Sequence, residues 1–551
     1  MKIRKLALLG AALSLLCSCA SLPTSGPVTP AKPEQGVQDP LAQLAAPPTK
    51  GARPQRLTED FLRAAAAGTY DDFATAREYL TKEAARIWDP KREITVTQDS
   101  IRITYDQDGQ ASKLSGIRRL RVDQNGIGDS SQIGTRAGAE ITFGKVDGQW
   151  RITSLPQGIM IPLDSFNTAY TKRNLYFVST DAKVYVADPR WLPKQGMSTN
   201  LIKLLLKGPS GAISPAVRTF IPANTKLDDT VKTDGSQLSV KLSGRVRTLS
   251  SKDLGWARGQ IERTLSGLSS SSTLNVISGG SALPAGTQPE EQKYDADYLL
   301  GIRSGTVVSD LNSHSRQLVS AQKTQSYQLT DPAISPVSSS PLVANAEDSG
   351  LVLFGQSTPI VAYPGKALRP PAVDRRGWIW TGDSSSATVV VMNEAGQLKE
   401  VSAKWLSGRA VTRLVLTLDG ARAMLLVSEK NGTEEAYVCV VHRDEHGSPV
   451  ALVNPTQVAT SIQKIRDVGW VDSTTVAVLA KADGQSAPDI ETEEIGSTST
   501  NLVGPVGATR VLRGGPSQSV RVADSNGRLF IKSGAGWKSV ETKATSLNYP
   551  G

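Results

Sequence analysis

The 551-residue sequence predicts a multidomain chain of two α+β domains followed by an all-β propeller, carried behind an export signal. Three observations predict it. A basic start, a short apolar run and a small-residue exit open the chain. Apolar spacing then shifts from a helical period to a period of two near Ile94. Beyond about residue 291 predicted helix nearly vanishes, and short strands recur between turn signals.

The signal comprises Lys2, Arg4 and Lys5, the apolar run Leu6–Leu16, and the exit Cys17-Ser18-Cys19. The apolar run is far short of the roughly 20 residues that span a bilayer. Leu16-Cys17-Ser18-Cys19, with leucine at −3 and cysteine at +1, resembles the bacterial lipobox. That resemblance implies cleavage between Ser18 and Cys19, an S-diacylglyceryl group on Cys19 and N-acylation of the new terminus. The alternative is an ordinary secreted protein. Residues 19–56 read as a tether, since Pro23, Pro27, Pro30, Pro33, Pro40, Pro47, Pro48 and Pro54 leave too little apolar content for a core. Extended at ~3.1 Å per residue, such a segment reaches roughly 100 Å.

Composition excludes several classes. Hydrophobic residues at 39% and charged residues at 21% describe a globular body. The formal charge of +10 includes Lys2, Arg4 and Lys5 of the signal, and the remaining cations are scattered, so no nucleic-acid role is expected. Three cysteines preclude a disulfide framework, because two lie at the signal exit and Cys439 lies in an apolar strand. No bilayer-spanning run follows the signal.

Residues 57–170 form the first predicted domain. Thr58 is placed as the cap of a helix through Phe61, Leu62, Ala65 and Ala66. A second helical stretch carries Phe73, Ala76, Tyr79 and Leu80. Strands then alternate through Ile94, Val96, Ile101, Ile103, Tyr105, Ile141 and Phe143. Helices followed by a curved antiparallel sheet are the layout of an NTF2-like cone. Residues 171–290 give the second α+β domain. Two strands, Asn174–Val178 and Lys183–Val186, precede a rigid connection at Asp188–Pro193. Helices follow through Leu201, Leu204 and Leu205 and through Leu254, Ile261 and Leu265. Residues 291–551 repeat short strands around Trp378-Ile379-Trp380, Arg413–Gly420, Val468–Asp472 and Asn526–Phe530. About 40–45 residues per blade gives five or six blades, and a β-sandwich is the alternative. Asp483–Thr500, with Asp489, Glu491, Glu493 and Glu494, reads as an exposed insertion.

Further motifs carry a resemblance. Cys19-Ala20-Ser21-Leu22-Pro23-Thr24-Ser25-Gly26-Pro27, Ala76–Leu80, Trp88-Asp89-Pro90, Gln149–Ile152, Val186–Pro193 and Leu205–Ser210 stand in an order that resembles the LpqB family of actinobacterial lipoproteins. The resemblance implies an NTF2-like domain, a GerMN domain and a β-propeller. It also implies an accessory role on the outer face of the cell membrane. There the protein would contact the extracellular part of the sensor histidine kinase MtrB and tune two-component signalling in cell-wall homeostasis and division. It supplies no catalytic residues.

The chain's own chemistry agrees with that expectation. His314, His442 and His446 read as ordinary exposed residues rather than metal ligands. Asp71-Asp72 and Glu290-Glu291 are sequence neighbours that do not converge on one substrate. Phosphate-binding loop, nucleophile elbow and CxxC motifs are absent, and Gly279-Gly280 reads as a turn. No catalytic residue, metal or cofactor is therefore expected. The competing function is a module that binds or hydrolyses a cell-wall polymer, for which paired carboxylates in one pocket would be the mark. Trp191, Trp256 and Trp405 are candidates for interface anchors, although buried core is the simpler reading. Replacing Cys19 with alanine is expected to leave the domains folded but move the protein from the membrane to the soluble fraction. Retention of the variant in the membrane pellet would contradict the anchor.

Overall fold

The computed structural model describes residues 46–551, apart from 235–236, 269–272, 312–313, 356–357, 483–485 and 516–517. Ser18, Cys19 and the tether up to residue 45 lie outside the described residues. The end of the predicted tether does not stand away from the body. Tyr79 donates its hydroxyl hydrogen to Ala46 O at 2.8 Å, and Gly51 N–H donates to Gln149 Oε1. The first helix begins at Pro54, four residues before the predicted cap. Proline suits the first turn because its missing N–H would have no partner there. Thr58 sits inside this helix, buried, and returns its hydroxyl to Pro54 O at 2.8 Å.

That helix, Pro54–Ala66, lays Leu57, Phe61, Ala64 and Ala65 on a seven-stranded sheet. The sheet runs Gln149–Ser154, Arg136–Val146, Ala111–Asp123, Glu93–Thr97, Ile159–Pro162, with two short strands on the third. All pairs are antiparallel except the last, which is parallel. Trp88 closes the core between Phe61 and Phe73, at centroid distances of 5.6 and 6.1 Å. The second predicted helix is only the single turn Ala74–Arg77.

The middle domain opens on the antiparallel pair Tyr170–Ser179 and Tyr185–Pro193. The predicted connection Asp188–Pro193 is therefore a continuation of the strand. Its prolines are tolerated because the strand lies at the edge of its sheet, where an absent N–H breaks no ladder. Helices Met197–Lys207 and Ser251–Leu265 cover this pair, and a second small sheet completes the core.

From Leu299 to Asn548 the described residues build six four-stranded antiparallel sheets. The last strand, Thr545–Asn548, pairs with Leu299–Arg303 of the first sheet, so the two ends of the domain hold each other. The first strands of successive sheets neighbour one another around an axis. Asp489–Glu494 is not an insertion but the third strand of the fifth sheet, with Glu491 and Glu493 buried. Cys439 is buried in its strand, where burial pushes the thiol pKa up.

Asp181, in the turn between the first two strands of the middle domain, fastens that domain to the last one. Arg375 donates from Nη1 and Nη2 to its two oxygens at 2.9 and 2.8 Å, and Arg376 approaches within 3.2 Å. Burial alone would raise the Asp181 pKa. The Arg375 hydrogen bonds and charge, with the Ser179 hydroxyl, instead hold it at about 2, below the ordinary 3.8. A carboxylate with a depressed folded-state pKa adds stability above its unfolded pKa and loses it as pH falls through the folded value. Asp181→Asn is expected to cost about 2 kcal/mol at pH 7. This is less than the ~3–5 kcal/mol of a fully buried pair, because Asp181 stays a quarter exposed. Calorimetric unfolding from pH 7 to 2 checks it: the difference from wild type should close between about pH 4 and 2. A constant difference over that range would contradict the assignment.

Candidate functional site

The edge strand Tyr185–Pro193 ends where all three domains meet. Trp191 N–H donates to Gly126 O of the first domain at 2.7 Å. Its indole Nε1–H donates to Gly496 O of the last domain at 2.8 Å. The ring packs on Phe166, centroids 4.8 Å apart. Such close backbone approach needs glycine: a Cβ on Gly128 would lie 1.9 Å from Gly496 O, and one on Gly126 would lie 2.2 Å from Trp191 O.

Buried charges surround this contact. Lys172 Nζ donates to Ile495 O and Glu494 O and pairs with the Glu494 carboxylate. Burial pulls the Lys172 pKa down to about 8 despite Glu494 and Glu493 beside it. Glu493 is pushed up by burial, and it accepts from Ser130 Oγ of the first domain at 2.8 Å and Ala459 N at 2.9 Å. Arg190 donates to Asp188 and to Asn125 O of the first domain, while Asp188 also accepts from Ser210 N and Oγ. Arg422 of the last domain donates to Ala187 O at 2.7 Å. A cavity of about 60 Å³ lies among these groups, lined by Asp188, Ser210, Arg422 and Glu493; its size and polarity suit a few buried waters.

Beside the junction, the first and middle domains enclose a cleft of about 520 Å³, within the usual range of small-molecule sites. Phe73, Ile94 and Val122 form one wall; Tyr170, Trp191 and Leu204 form the other. Asn200, Lys203 and Lys207 of the Met197–Lys207 helix lie along the rim. Asp72 and Phe73 hold φ of 54° and 63°, a conformation rare for bulky side chains that clusters at ligand sites. The cleft is the candidate binding site of the molecule.

Other residues singled out in the sequence fall elsewhere. Trp256 is buried against Tyr185 and Phe220, and Trp405 packs on Tyr437 and donates to Leu452 O. His442 and His446 are exposed, and the side chain of His314 lies outside the described residues. Among the described residues no group of three or more His, Cys, Asp and Glu could hold a metal. Asp71 Oδ2 accepts from Thr75 N–H, and Asp72 pairs with Lys91. Glu291 pairs with Arg263.

On the axis of the last domain, Asp331 pairs with Arg510 and Asp467 with Arg413. Burial would raise the Asp331 pKa, but Arg510 holds it below the ordinary range. A general acid for glycoside hydrolysis needs the opposite shift. Sequence reasoning missed Lys172, Gly126, Gly128, Lys203 and Lys207, and placed Glu493 on the surface although it is buried. Helical spacing alone reads Lys203 and Lys207 as an ordinary solvent face.

Residues 47–167 match the family described as Lipoprotein LpqB, N-terminal domain, and 305–550 match the Lipoprotein LpqB beta-propeller domain. Residues 174–284 match the Germane family, described as sporulation and spore germination. A Lipoprotein LpqB of Nocardia farcinica is 28% identical, over 96% of this chain and 93% of its own. One of Streptomyces avermitilis is 25% identical, over 99% and 98%. The crystal structure of TolB from Acinetobacter baumannii aligns over 46% of this chain and 65% of its own at 15% identity and a TM-score of 0.34. No described helix is long and apolar enough to cross a membrane.

Proposed function

Because this chain belongs to the LpqB lipoprotein family, with its N-terminal, Germane and β-propeller domains in order, we propose that it is a lipid-anchored, non-enzymatic accessory on the outer face of the cell membrane. It binds the extracellular part of an MtrB-like sensor histidine kinase and modulates two-component signalling in cell-wall homeostasis and division. The same reading makes Cys19 the acylated residue. It assigns an NTF2-like cone to residues 57–170, a GerMN domain to 171–290 and a propeller of six blades to 291–551.

The observation that carries the proposal is the junction at Trp191, which joins three domains into one body. A proline-rich segment behind Cys19 would hold that body near the membrane. Tethering raises the effective concentration of its surface around a membrane partner without any new contact. Hydrolysis of a wall polymer is the weaker reading, because the axial carboxylates are neutralised by Arg510 and Arg413.

The test is retention of the kinase's extracellular domain by the chain from residue 20 onward, together with regulator phosphorylation in a deletion strain. The expected results are co-elution on size exclusion and altered phosphorylation on deletion. Absence of both would overturn the proposal.

A further inference from the structure

We infer that the cleft between the first and middle domains binds a small amphipathic organic anion, with its apolar body against Trp191 and Leu204 and its carboxylate or phosphate between Lys203 and Lys207. This inference stands whether or not the chain binds a kinase.

Charge within the cleft decides the sign of the ligand. Two carboxylates line it, and both are engaged: Asp72 pairs with Lys91, and Asp123 Oδ1 accepts the N–H groups of Asn125 and Ile127 at 2.8 Å each. The two helix lysines are not neutralised. Among the described residues Lys207 reaches only Asn125 Oδ1, at 3.4 Å, and Lys203 forms no ion pair. They stand four residues apart on one helix face, a spacing that lets both ammonium groups meet one anionic group. Asn200, one turn earlier on the same rim, donates one amide hydrogen to Gln195 O at 3.0 Å and keeps a second N–H and its Oδ1 for a ligand.

The walls decide the rest. The half-buried Trp191 and Leu204 offer apolar surface, so a bare inorganic anion would leave most of the cleft unused. The volume of about 520 Å³ suits a ligand of disaccharide or dipeptide size rather than a folded partner. On the first-domain wall, Thr69 Oγ1 is buried without a hydrogen-bond partner among the described residues. The junction holds both walls in place before any ligand arrives, which lowers the ordering cost of binding.

The test is calorimetric titration of the chain from residue 20 onward with three probes. N-acetylmuramyl dipeptide and dihexanoylphosphatidylglycerol are amphipathic anions from the two sources such a protein would meet, wall and lipid. The N-acetylglucosamine trimer is a neutral control. At least one anion is expected to bind, and the neutral sugar to bind at least about tenfold more weakly. The double variant K203Q/K207Q should weaken the bound anion by about tenfold or more, equivalent to about 1.4 kcal/mol. Both positions are exposed, so the thermal midpoint should not move. Lys232→Gln, outside the cleft, should change nothing. The inference is overturned if neither anion binds, if the neutral sugar binds as well, or if the double variant binds like wild type. Whichever anion is preferred identifies the source.

Discussion

Trp191 bonds all three domains at once. Its backbone N–H serves the first domain, its indole N–H serves the last, and its strand belongs to the middle one. Both acceptors are main-chain carbonyls, which cannot swing away as a side chain would. Gly126 and Gly128 permit the approach, so the contact fixes three backbones rather than three flexible tips. The cleft depends on it directly, because Trp191 is also part of the cleft wall.

The junction is polar, as interfaces between domains of one chain commonly are. Lys172, Glu493, Arg190, Asp188 and Arg422 are all withdrawn from water there. Burying such groups gains little net stability, since desolvation offsets most of the attraction. The hydrogen bonds are nonetheless directional. A shift of about 1 Å at the junction would leave Glu493, Arg190 or Lys172 without partners, at a cost near the ~1–3 kcal/mol of an unsatisfied buried group and more for a charge. The Asp181–Arg375 fork repeats this logic at a second point. Together they favour one relative placement of the domains over its neighbours.

Much of the architecture was legible because it is written in local periods. The shift of apolar spacing near Ile94, the loss of helical pattern after residue 291 and the buried strand around Cys439 all follow from residues close in sequence. The errors share one cause. The prolines of Asp188–Pro193 read locally as a connection, yet this segment is a strand at a sheet edge. Glu491 and Glu493 read locally as surface, since carboxylates are seldom buried, yet Glu493 faces Ser130 from another domain. Trp191 carries no local sign that its partners, Gly126 and Gly496, lie 65 and 305 positions away. The cleft was equally hidden, since its walls come from two domains and its lysines look like an ordinary helix face. The lipidation expected at Cys19 rests on four residues that lie outside the described structure.

The central claim is that the three domains form one body. The most direct measurement is a double electron–electron resonance distance between spin labels at Lys113→Cys in the first domain and Lys538→Cys in the last, both exposed. In the chain from residue 20 onward Cys439 is buried and unlabelled. The account predicts a single narrow distance distribution. A broad or multimodal distribution would show that the domains move independently, and would contradict it.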